Sequence, residues 1–278
     1  MSNKSTKPIL LYHLNDYAPS GLEFAEIKVR FLEHLDKPSL VHVHDLAIPP
    51  LDTIALGFVT GQLAFAPYSG RMVIYGNCAP RRKSKKAQKN NIDHGIKYAR
   101  LKNGVEIINV YSEYAFGFVK DKIEVFYDLK VPNQGSQFRS RDFFPEAVAK
   151  IINDNYEDLG KELNPADIPD IPHNLIAWTD GFGNLKTTMR LSDLQKMGLK
   201  PGDKVQVILN GVSMLGVVSI GGFQVDRGVL AINAGSSGYD DPFIELFLRV
   251  HHMSEKTAAV RFDYPAGGTE FELKKIEL

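Results

Sequence analysis

The sequence predicts an α/β protein in two parts, an N-terminal α/β domain with a mostly parallel central sheet and a C-terminal antiparallel β-barrel domain. Three observations carry this. Apolar runs of strand length alternate with amphipathic helix-length segments over the first third of the chain. A polar stretch with three prolines, LGKELNPADIPDIPHN, reads as a linker. Beyond it the texture changes to short alternating runs punctuated by Gly, Asn, Asp and Pro. We place the boundary near residue 165, giving domains 1–165 and 166–278.

Pro8-Ile9-Leu10-Leu11-Tyr12 is an apolar run of the kind buried in parallel sheets. After the turn NDYAPSG, the segment LEFAEIKVRFLEHL reads as a helix whose face is Leu22, Ala25, Ile27, Val29, Leu32 and Leu35. SLVHV at 39–43 is the second strand, IALGFVTGQLAF the second helix, and GRMVIYGN the third strand. In such a sheet ligands sit outside the carboxyl ends of the strands, so the loops opening at Asn15 and Asn77 are the places to look. VEIINVYSEYAFGFVKDKIEVFYDL supplies further β-prone segments, and FFPEAVAKIINDNY is a helix. The barrel strands are expected in LIAWTD, NLKTTM, KVQVILN, SMLGVVSI, GVLAINA, AAVRFDY and TEFELKKIEL, with one short helix, LSDLQKMG.

Composition narrows the function classes. The chain has 278 residues, with 33 Lys plus Arg balanced by 33 Asp plus Glu. That neutrality gives no global attraction to nucleic acid or to an anionic membrane. The basic run Arg81-Arg82-Lys83-Ser84-Lys85-Lys86, with Lys89 beyond it, is read as a solvated loop rather than a nucleic-acid or phosphate patch, since no aromatic residues interleave with it and the chain is neutral. Cys78 is the single cysteine, so neither an intramolecular disulfide nor a cysteine-based zinc site can form. No apolar run approaches the ~20 residues of a membrane span, and the N-terminal apolar stretch is short for a signal peptide. A cytoplasmic protein is the expectation. His42 and His44 alternate on one strand face and His251 and His252 are adjacent; we read them as structural and assign no metal.

The stretch Asp180-Gly181-Phe182-Gly183-Asn184 has two readings. It is a hairpin turn built of turn residues, or a turn that brings backbone close to a ligand hydrogen-bonded by Asp180 and Asn184.

Several segments, in order, resemble the S-adenosylmethionine hydroxide adenosyltransferase (S-adenosylmethionine hydrolase) and fluorinase family. They are Asn15-Asp16-Tyr17-Ala18 with Glu26-Ile27-Lys28, IPPLD at 48–52, AFAPYSGRMVIYGNCAP at 64–80, QFRSRD at 137–142, DGFGN at 180–184 with TTMRLSDLQKMGLKPGDKV, and GSSGY at 235–239. The resemblance implies an N-terminal α/β domain, a C-terminal barrel and a homotrimer. Its substrate is S-adenosylmethionine, split by water at the ribose C5′ carbon into adenosine and methionine, without a metal. It implies that Asp16 holds the ribose hydroxyls, Asn184 the adenine edge, Asp180 the methionine ammonium and Ser236 the methionine carboxylate. Phe138 and Phe182 join this ligand-binding set, while Cys78, Arg139 and Ser140 take the catalytic positions. There the chain departs from the family. Cys78 stands for the family's Asp and Arg139 for its His, and Arg cannot act as a base at neutral pH. A Cys78 thiolate beside Arg139 and the basic run could accept a proton; alternatively Cys78 is an apolar filler. Two other functions stay open: an adenosyl-ligand binder without hydrolysis, and a regulatory or structural protein that meets a partner through 81–89.

Overall fold

The computed structural model describes residues 7–17, 21–78, 95–132, 138–251 and 256–276. They form two compact units, the first reaching Asp170 and the second starting at Ile171. Each unit has a seven-stranded sheet of its own, so the protein is mixed α/β. The boundary expected near residue 165 coincides with a 3-10 turn, Pro165–Asp167, capped by the side chain of Asn164.

The strands of the first unit are β1 (Ile9–Asn15), β2 (Val41–Ala47), β3 (Met72–Asn77), β4 (Ile96–Leu101), β5 (Glu106–Val110), β6 (Ile123–Leu129) and β7 (Leu159–Glu162). They lie in the order β2-β1-β3-β5-β4-β6-β7. The pairs β1–β2, β1–β3 and β3–β5 are parallel, whereas β5–β4, β4–β6 and β6–β7 are antiparallel. Half of this sheet is therefore not parallel. β2 begins later than SLVHV suggests, because Pro38–Leu40 form a 3-10 turn. The first residues of the expected linker, Leu159–Glu162, are instead the edge strand β7.

The helices of this unit are α1 (Leu22–His34), α2 (Thr53–Ala64), α3 (Arg139–Asp142) and α4 (Phe144–Ile152). α1 buries Phe24, Ile27 and Phe31, while Leu22, Val29 and Leu32 are exposed. The apolar face assigned from sequence was thus rotated: the two phenylalanines, not Leu22, Val29 and Leu32, meet the core. α2 is buried nearly all round, starting from an N-cap in which Asp52 accepts from the Ala55 amide at 2.9 Å. It presses so closely on the following segment that a Cβ on Gly57 would collide with the Tyr114 carbonyl oxygen. At the amino end of the sheet, buried Glu106 accepts from Arg71 (2.8 Å), Tyr98 (2.9 Å) and Tyr156 (3.0 Å). Arg71 also donates to the Ile151 and Ile152 carbonyls at 2.7 Å, closing the end of α4.

The second unit comprises β8 (Ile176–Thr179), β9 (Leu185–Arg190), α5 (Leu191–Lys196), β10 (Lys204–Leu209), β11 (Val212–Ser219), β12 (Leu230–Ala234), β13 (Phe243–Leu248), α6 (Ala258–Arg261) and β14 (Phe271–Lys275). The sheet order is β14-β10-β11-β12-β13-β9-β8. All pairs are antiparallel except β11–β12, which is parallel. The two edge strands meet at their starts: Ile176 donates to the Thr269 carbonyl at 2.9 Å and Phe271 to that of Asn174 at 2.8 Å. AAVRFDY, read as a strand, is the helix α6, because Thr257 caps it by accepting from the Val260 amide at 3.4 Å. Phe262 behind it is fully buried in the core with Leu185, Ile232, Ile244 and Leu246.

Candidate functional site

In the first unit the chain leaves β1 for β2 on one side, and β3 lies on the other. Where connections from a central strand depart in opposite directions, a crevice opens outside the carboxyl ends of the strands. Asn15 and Asn77 end β1 and β3 and are direct partners across them.

A line of polar side chains runs through this place. His13 Nδ1 lies 2.9 Å from Asp45 Oδ1, and His13 Nε2 is in hydrogen-bond contact with the Asn15 amide nitrogen. Asn77 Nδ2 donates to Asn15 Oδ1 at 2.7 Å and to the Tyr17 hydroxyl at 3.2 Å. The Tyr17 hydroxyl lies 2.6 Å from Ser140 Oγ. Phe138 stands edge-on to the Tyr17 ring at 5.6 Å, and the Arg141 guanidinium covers Phe138 at 4.8 Å. Burial raises the Tyr17 phenol above its ordinary range, so it stays a neutral donor and acceptor.

Asp16 accepts from the Leu51 amide at 3.1 Å. Leu51 has a φ of 65°, a left-handed backbone that leucine rarely adopts. The carboxylate thus stabilises a strained turn directly before α2. Cys78 is 1 % exposed, and its sulfur lies 3.9 Å from the Pro49 carbonyl. Burial pushes its thiol far up, and the carboxylates of Asp16 and Asp52 push it the same way. This surrounding opposes a thiolate and matches the apolar-filler reading. Arg139 donates to the Pro132 carbonyl at 3.3 Å and lies over the Phe144 ring at 5.3 Å.

Asp180 and Asn184 of the second unit are bound to each other. Asp180 Oδ1 accepts from the amides of Phe182 (2.9 Å) and Asn184 (3.0 Å), while Oδ2 accepts from Asn184 Nδ2 (3.0 Å). Lys186 Nζ adds an ion pair at 3.7 Å and bridges to Glu245 at 3.3 Å. Gly183 has a φ of 74°, and a Cβ there would strike Thr257 Oγ1. The turn between β8 and β9 is therefore a self-contained Asx turn packed on the start of α6. Phe182 at its tip is 70 % exposed. Ser236 is exposed, whereas neighbouring Ser237 is buried and its hydroxyl has no hydrogen-bond partner among the described residues. Arg190 shapes this GSSGY loop by donating to the carbonyls of Gly238 (3.3 Å) and Asp241 (2.7 Å) while lying 3.7 Å over the Phe243 ring.

Of the residues singled out in the sequence, Asp16, Phe138 and Ser140 gather around Tyr17 and Asn77, with Cys78 buried beside Asp16. His13, Asp45 and the Lys186–Glu245 pair were missed because they lie outside the quoted motifs, and Arg190, although inside TTMRLSDLQ, was given no role. His42 and His44 are exposed on edge strand β2, and His44 stacks on Tyr12 at 5.3 Å. No group of three or more His, Cys, Asp or Glu among the described residues is arranged to hold a metal ion. No helix among them is long and apolar enough to cross a membrane. The basic run 81–89 and His252 lie outside the described residues.

No protein-family model matches the chain. No curated protein matches it either. Solved structures do resemble it. One is an uncharacterized conserved protein from Thermotoga maritima, with a TM-score of 0.70 at 15 % identity, covering 95 % of this chain and 100 % of its own. Another is a conserved hypothetical protein from Thermus thermophilus, with a TM-score of 0.65 at 18 % identity, covering 96 % and 100 %. At such identities the likeness establishes a shared fold over nearly the whole chain.

Proposed function

We propose that this protein binds S-adenosylmethionine and cleaves it with water at the ribose C5′ carbon, releasing adenosine and methionine. The observation that carries this reading is the convergence of Asp16, Tyr17, Asn77 and Ser140 beyond the adjoining ends of β1 and β3. A carboxylate at such a place suits a ribose diol, because its two oxygens can accept from both hydroxyls. Tyr17 and Phe138 add aromatic surface of the kind a nucleoside favours. We read the second unit as a small barrel, and the chain as a homotrimer. Its ligand residues by resemblance are Asp180, Phe182, Asn184 and Ser236, with Asn184 carrying the adenine contact.

The sulfonium is already a good leaving group, so the protein's task is to align water opposite sulfur and to strip its solvent. The buried neutral thiol of Cys78 is a poor candidate for the proton acceptor. That observation favours a second reading, in which the adenosyl ligand is held without turnover. Calorimetry with S-adenosylmethionine, followed by chromatography for adenosine, separates the two. Heat of binding with adenosine release supports hydrolysis; binding without release supports the second reading. No binding at all rejects both.

A further inference from the structure

His13 is fully buried in the middle of β1, a costly place for a group that titrates near neutrality. It lies parallel to the Tyr75 ring at 5.3 Å, with Phe24 and Phe31 edge-on at 5.0 and 5.4 Å. Nothing in the adenosyl reading uses it. Yet both of its ring nitrogens are engaged, one by Asp45 and the other by Asn15.

The direction of every hydrogen bond in this line follows from the carboxylate at its start. Asp45 only accepts, so His13 Nδ1 carries the proton. In the neutral ring Nε2 is then an acceptor, and Asn15 must present its NH2 to it. Asn15 Oδ1 is left to accept from Asn77 Nδ2, whose second proton goes to the Tyr17 oxygen. Tyr17, having accepted, donates to Ser140, and the Ser140 proton is left for a partner other than Tyr17. Protonating Nε2 would set two donors against each other at Asn15. Asn15 must then turn its carbonyl to the ring, Asn77 must turn likewise, and Tyr17 becomes the donor to Asn77. Ser140 must then give its proton to Tyr17.

We propose that His13, oriented by Asp45, is a positioning residue that sets the hydrogen-bond polarity of Asn15, Asn77, Tyr17 and Ser140, so that the crevice accepts its ligand only while His13 is neutral. For the ligand, this rests on the adenosyl reading. The groups facing the ring are Asp45 from β2, Lys28 from α1, 3.5 Å from Asp45, and the phenol of Tyr75 from β3. Burial holds the imidazole below its ordinary value; Asp45 opposes this and Lys28 reinforces it.

The test uses the whole protein, with His13→Gln and His13→Leu. Glutamine donates to Asp45 and accepts from Asn15 as the neutral ring does, but cannot be protonated. In NMR spectra, the side-chain amides of Asn15 and Asn77 should titrate together with the His13 ring in the parent and remain constant in His13→Gln. Amides indifferent to the ring's titration, or a ring that stays neutral down to acid unfolding, overturn the proposal. Calorimetry with adenosine is the second arm. Parent affinity, constant near about pH 8, should fall about tenfold per pH unit below the point at which the His13 ring is seen to titrate. His13→Gln should bind like the parent at the upper pH and lose the dependence, while His13→Leu should bind about tenfold more weakly throughout. Equal pH profiles for the parent and His13→Gln also overturn it. A parent that binds no adenosine at any pH rejects the adenosyl reading instead, and the amide titration then decides the role of His13 alone.

Discussion

At the scale of single residues, the polar side chains that look like ligand contacts in the sequence also hold the backbone. Asp180 accepts three hydrogen bonds from its own turn. Asp180→Ala should therefore destabilise the second unit by ~1–3 kcal/mol even without ligand, read by urea unfolding, and unchanged stability would remove the turn role. Asp16 has a double part of the same kind, because it holds the Leu51 amide. Asp16→Asn should weaken adenosine binding by ~1–2 kcal/mol and loosen the 48–52 turn, seen as faster amide exchange there. Loss of binding with unchanged exchange would leave the ligand role only. Cys78, 1 % exposed and with its thiol raised by burial, should react with a thiol reagent only when the protein opens. Rapid labelling of the native protein at neutral pH would refute that. These residues show where sequence reading stops. DGFGN declares a turn through its glycines, but whether the carboxylate faces a ligand or its own backbone depends on torsions that residue types do not specify.

At the scale of elements, periodicity found α2, α4, β1 and β3 because each carries a buried apolar run, although β1 also buries His13 and Asn15. It found the helix α1 and its buried Ile27 and Leu35 but misplaced part of the face, since exposed Leu22, Val29 and Leu32 imitate a core contact that belongs to Phe24 and Phe31. β4 was overlooked although it carries a local signal: Asn103-Gly104 sits between it and β5, and Gly104 has a φ of 85°, as a tight hairpin turn needs. β13 was not singled out and the helix α6 was read as a strand, because their short apolar runs fit either period. Close packing of α2 gives a sharp test at this scale. Gly57→Ala would drive a methyl into the Tyr114 carbonyl and should cost ~1–3 kcal/mol, against the usual gain from alanine in a helix. A stability equal to or above the parent's would show that the 114–118 segment yields.

At the scale of the whole molecule, buried His13 ties stability to pH. Its folded value lies below the ordinary 6.5, so the unfolded chain takes up the proton first as pH falls. The stabilisation is complete above 6.5 and is lost as pH drops towards the folded value. Asp45 follows a separate course. Burial alone would raise its carboxyl, but the hydrogen bond from His13 and the nearby Lys28 outweigh this and hold it below 3.8, so its share is lost only at lower pH. The thermal midpoint should therefore slope downward below 6.5 in the parent, with a shallower slope in His13→Gln; identical slopes would place the sensitivity elsewhere.

The meeting of β8 and β14 has a consequence for how the chain is made. A ribosome delivers β8 first among the strands of its unit and β14 after all the others, yet Asn174 and Ile176 are hydrogen-bonded to Phe271 and Thr269. The parallel pair β11–β12 and the hairpins can form as they emerge, while the seam waits for the last strand. Until then β8 exposes an unpaired rim to the crowded exit of the ribosome, where it can recruit a stray strand from another nascent chain. Synthesis of this unit is thus exposed to mistakes for its full duration, and slow codons late in the message would prolong that interval rather than relieve it.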